Sequence, residues 1–90
     1  MAHIQSFHSA TGASDFLGLR PGRRGGTEIV YDDGVARRIV WRATDQRTGG
    51  DADAARLSDA LERAVNQPRV LPALYSELKR RAIAVEIIAQ

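Results

Sequence analysis

Two runs rich in β-branched and aromatic residues, Thr27–Tyr31 and Val35–Thr44, are separated only by Asp32-Asp33-Gly34. An Asp-Gly pair suits a turn that needs positive φ, so this spacing predicts an antiparallel β-hairpin over residues 27–44, closed by a three-residue loop with Gly34 left-handed. Strand alternation then places Ile39, Trp41 and Ala43 on one face together with Val35, while Arg38 and Arg42 flank Val40 on the other. The first face is expected against a core and the second partly in water.

Past the hairpin the hydrophobic period changes. Asp45–Gly50 reads as a polar loop. Ala54, Leu57, Leu61 and Ala64 then recur at helical spacing, with Asp51 or Asp53 placed to cap the helix and Asn66-Gln67-Pro68 to end it. A second helix is predicted from Val70 to Arg81. Pro72 falls in its first turn, where a missing N–H costs little, and Leu71, Leu74, Tyr75, Leu78 and Ala82 are expected to form its buried face. Ile83, Val85 and Ile87 alternate with Ala84, Glu86 and Ile88, which predicts a strand over residues 83–89.

Residues 1–26 are the least legible part. His3–His8 suggests a short strand and Thr11–Ser14 a turn. Ser14 or Asp15 is placed to cap a single helical turn carrying Phe16 and Leu17, stopped at Gly18, and Arg20–Gly26 reads as an irregular basic loop. The expected architecture is one α+β domain: a small antiparallel sheet, made of the hairpin and the C-terminal strand, packed against two antiparallel helices spanning residues 51–81. Leu61, Leu74, Leu78, Val85 and Ile87 are expected to be buried together.

Composition narrows the function classes. Ninety residues leave room for one core, and a chain without cysteine has neither disulfide nor thiolate-metal site to reinforce it. No apolar run approaches the roughly 18 residues of a membrane helix, and no secretory signal is evident, so the expected address is the cytoplasm. The net charge is only +2, yet of 13 basic residues Lys79 alone is lysine. Arginine favours forked contacts with phosphate or carboxylate. A GC-rich genome would give the same bias.

Few constellations suggest chemistry. His3 and His8 fall on opposite sides of an extended strand, with no acidic cluster beside them, so no metal site is expected, and no cofactor. Gly22–Gly26 lacks the lysine and the following helix of a phosphate loop. Asp32 and Asp33 suit turn chemistry better than a catalytic pair. Tyr31 and Trp41 lie beside arginines, as in a base-stacking platform, although core packing is the simpler role for Trp41. No serine or threonine falls in a nucleophile pattern with histidine and acid, so an enzyme is not expected. The residues singled out for binding are Arg20, Arg23 and Arg24 in the loop, Arg37, Arg38 and Arg42 on the hairpin, and Lys79, Arg80 and Arg81 ending the second helix.

Leu61, Pro68, Leu71, Leu74, Leu78, Ile83 and Val85 make up a helix, a proline-centred turn, a Leu-x-x-Leu-x-x-x-Leu segment and a strand. The stretch from Leu57 to Ile87 thereby resembles a segment downstream of the nuclease domain in plasmid relaxases (mobilisation proteins), with Ala82 where that pattern prefers glycine. The resemblance implies a DNA-processing context and carries over no catalytic residue. Two function classes follow. One is a non-enzymatic module, from a phage or plasmid, that contacts nucleic acid or a nucleoprotein complex through arginines. The other is a protein-binding inhibitor or adaptor of the anti-defence, anti-CRISPR-like type, acting by surface occlusion. An apolar last strand at a sheet edge also predicts a homodimer.

Overall fold

The computed structural model describes residues 4–10 and 15–89. The elements run β1 (Gln5–Phe7), β2 (Phe16–Pro21), β3 (Thr27–Asp32), β4 (Arg38–Asp45), α1 (Ala54–Val65), α2 (Val70–Arg80) and β5 (Ile83–Ala89). The strands form a five-stranded sheet in the order β1-β2-β3-β4-β5. Every neighbouring pair is antiparallel. The first four strands form a meander, and the helical hairpin returns the chain to lay β5 beside β4. The fold is α+β, as expected; β1 falls within the strand suggested at His3–His8, and β2 is the one strand the sequence did not suggest.

Strand alternation sends Leu17, Leu19, Ile29, Tyr31, Ile39 and Trp41 to one face. There they share a single core with Leu57, Leu61, Leu74 and Leu78 from the helices. Trp41 is fully buried, and its ring centroid lies 5.0 Å from that of Tyr75. Asp53 caps α1, its carboxylate accepting from the Ala55 N–H at 2.8 Å. Both helices sit on this face only, which leaves the opposite face of the sheet uncovered.

Several expectations need correction. Phe16 and Leu17 begin a strand, not a helical turn. The pattern is hidden by Gly18, where a Cβ would lie 3.0 Å from both Ile4 and the Phe16 ring, so a side chain there would have to displace one of them. Gly34 does take positive φ (79°), but the β3–β4 loop is five residues long, Asp33 to Arg37. It is closed by Asp33 N–H to Arg37 C=O at 3.1 Å. The Asp33 carboxylate accepts from Val35, Ala36 and Arg37 N–H groups, so the loop is built around that side chain. Val35 is accordingly 91% exposed and shares no face with Ile39.

Tyr75 and Ile87 are 46% and 49% exposed, so Tyr75 is not buried on α2 and Ile87 is not buried with Leu61, Leu74 and Leu78. Ala82 lies past the end of α2 and takes φ 56°, with its N–H donating to Lys79 C=O at 3.1 Å. The turn at Thr11–Ser14 and the side chain of His3 lie outside the described residues. No helix among the described residues is long and apolar enough to cross a membrane.

Candidate functional site

The uncovered face carries the alternate residues of each strand, and its cross-strand neighbours follow from the register. Arg20 pairs with Glu28, Glu28 with Arg42, and Arg42 with Glu86. A row of alternating charge thus crosses β2 to β5. The next row is apolar, with Gly18 opposite Val30 and Val30 opposite Val40. Val30 and Val40 are buried although neither helix lies on this face. Opposite-charge neighbours steady a sheet, so part of this arginine content serves the fold. Arg20 is such a case, its Nε lying 2.8 Å from Glu28 Oε1.

The Gly-rich segment is the β2–β3 hairpin turn, and Arg20 and Pro21 belong to β2 itself. The expectation of one irregular loop from Arg20 to Gly26 is corrected accordingly. Gly22 N–H donates to Gly26 C=O at 3.0 Å, and Gly25 N–H to Gly22 C=O at 3.2 Å. A Cβ on Gly22 would sit 2.4 Å from the Gly25 carbonyl oxygen, and one on Gly26 would meet Asp51 at 2.6 Å. These glycines are therefore required by the turn and by its packing on Asp51. No phosphate has to be invoked to explain them.

This turn places Arg23 and Arg24 at the rim of a cavity of about 360 Å3 on the uncovered face, lined also by Gly25, Glu28, Arg42, Glu86 and Ile88. Arg23, Arg24 and Glu86 make no ion pair among the described residues, and Arg42 reaches only Asp51, at 3.7 Å. The cavity thus holds uncommitted donors and one uncommitted carboxylate beside an exposed isoleucine.

The other basic residues go elsewhere. Arg38 shares the uncovered face but stands opposite Asp32, towards the far end. Arg37 lines a groove of about 600 Å3 on the helical side, with Tyr31, Val70, Leu71 and Tyr75. Tyr31 O–H donates there to Asp15 at 2.9 Å, and burial, with that bond, pushes its pKa up to about 12. Lys79 and Arg80 end α2 on the exposed helical surface. Arg81 is committed to the fold. Its guanidinium bonds Glu77 and Asp59, its side chain is 16% exposed, and its carbonyl accepts from Arg56 at 2.9 Å. Trp41 and Tyr31 face the core, which removes them as a stacking platform.

Glu28, Glu86 and Ile88 were the site residues that sequence reasoning passed over. The alternation along β5 already set Glu86 and Ile88 on one face, but nothing in the sequence showed that the turn of β2–β3 would stand above them. Among the described residues no group of three or more His, Asp or Glu side chains stands together to hold a metal. Comparison with known proteins finds no matching family model, no matching curated protein and no matching solved structure.

Proposed function

We propose that this domain is a non-enzymatic binding module that contacts nucleic acid, alone or in a nucleoprotein complex, through the uncovered face of its sheet. One observation carries the reading: Arg23 and Arg24 stand exposed on a hydrogen-bonded turn with no ion-pair partner among the described residues. The entropy of ordering that turn is met within the fold, so a phosphate contact there costs little further order. A guanidinium fork matches phosphate geometry and bonds it with charge assistance. The phage or plasmid setting rests on the relaxase resemblance alone.

The test is a salt titration of oligonucleotide binding by the natural chain and by Arg23→Ala/Arg24→Ala. Arg20 is left intact because it braces Glu28. The variant should melt at the same temperature and bind more weakly. Its plot of log affinity against log salt should be shallower by up to about 0.7 per lost phosphate contact on a single strand. Unchanged affinity and slope would reject the reading.

A second reading is favoured by the opposite edge. β5 is the last strand of the sheet, and Ile87 and Ile88 on its two faces are 49% and 46% exposed. Such an edge suits a protein partner, whether a second copy in a homodimer or the target of an occluding inhibitor. Binding through it would respond less to salt than phosphate contact does.

A further inference from the structure

The geometry points to the cavity between the β2–β3 turn and β5 as a subsite for one unpaired guanine nucleotide of a single strand. This inference rests on the nucleic-acid reading and adds base identity to it. Three features of the cavity meet in one ligand. Arg23 and Arg24 at the rim present free guanidinium forks, which suit a phosphate. Glu86 lies within the same cavity, exposed and without an ion pair, although Arg42 is its cross-strand neighbour; Arg42 instead approaches Asp51 at 3.7 Å. Ile88, 46% exposed, supplies an apolar wall beside that carboxylate.

A carboxylate accepts hydrogen bonds and offers none. It therefore selects a base by the donors on its edge. Guanine has two adjacent donors on its Watson–Crick edge, the ring N1–H and the exocyclic amino group, which match the two oxygens of a carboxylate. Adenine and cytosine offer an amino group next to an acceptor, which a carboxylate opposes, and thymine offers a single N–H between two carbonyls. A cavity of about 360 Å3 is at the small end of the usual range for ligand pockets and suits one nucleotide better than a duplex segment. In duplex DNA the same guanine edge is already occupied by cytosine, so the subsite requires an unpaired base.

The experiment uses short single-stranded thymidine oligonucleotides carrying one central guanine, adenine or cytosine, bound to the natural chain, to Glu86→Gln and to Arg23→Ala/Arg24→Ala. The natural chain should prefer the guanine oligonucleotide by about tenfold, the scale of a bidentate base contact. Pairing that oligonucleotide with its complement should abolish the preference. Glu86→Gln should bring the three affinities together without lowering the melting temperature, since Glu86 is exposed and unpaired. The double arginine variant should weaken all three alike. Equal affinities for the three oligonucleotides, or a guanine preference that survives Glu86→Gln, would overturn the subsite while leaving the nucleic-acid reading intact. Absence of binding to any oligonucleotide at low salt would overturn both.

Discussion

Ala82 is the described non-glycine residue with positive φ, at 56°. It sits just past the helix end, where glycine is the usual choice because an L side chain is crowded in that conformation. Ala82→Gly should therefore raise unfolding stability by about 0.5–1 kcal/mol in a denaturant titration. An unchanged or lowered midpoint would show that the strain is relieved elsewhere.

The ion-pair network at the same end has a pH consequence. The Arg81 hydrogen bonds hold Glu77 and Asp59 below the usual carboxylate range. The Arg47 backbone N–H, then its side chain, does the same for Asp45, with Arg56 adding to it. Groups with depressed pKa values stabilise the fold above their unfolded pKa and lose that contribution as pH falls through the folded one. Thermal stability should hold near neutrality and decline below about pH 4, where unfolded carboxylates take up protons. Arg81→Met should lower stability at pH 7 and flatten this acid decline. A variant with the parent's full acid sensitivity would place the linkage in other carboxylates.

At the scale of elements, the helices and β5 were legible because their apolar residues keep a single period over many positions. Leu57, Leu61, Leu74 and Leu78 all reach the core as that period requires. Leu74→Ala or Leu78→Ala should cost about 2–5 kcal/mol, as for a packed leucine. A loss within about 0.5 kcal/mol would be surface behaviour and would contradict their burial. β2 was hidden because Gly18 interrupts its alternation and Arg20-Pro21-Gly22 imitates a loop. The β3–β4 loop is two residues longer than the sequence suggests because Val35 looks like a strand residue. The acceptor geometry of Asp33, invisible in sequence, helps hold it in the turn. The candidate site was half legible. Arg23, Arg24 and Arg42 were singled out by residue type alone, whereas Glu86 and Ile88 join them only through strand register.

For the whole molecule, the helical layer covers one face and leaves both the opposite, charged face and the β5 edge open. β5 carries only one charged residue, Glu86, and no proline, so little on it opposes pairing with a second copy. Sedimentation at rising concentration should show a monomer–dimer equilibrium, and Ile87→Lys should shift it to monomer. A natural chain that stays monomeric at high micromolar concentration would count against an edge-paired dimer. The central claim concerns the other open surface, and amide chemical-shift mapping tests it most directly. Titration with a guanine-containing single strand should move the signals of Arg23–Gly26, Arg42, Glu86 and Ile88, and leave those of Leu71, Tyr75 and Arg37 in place. Shifts confined to the helical side, with the β2–β3 turn and β5 silent, would contradict the assignment of the uncovered sheet face as the binding surface.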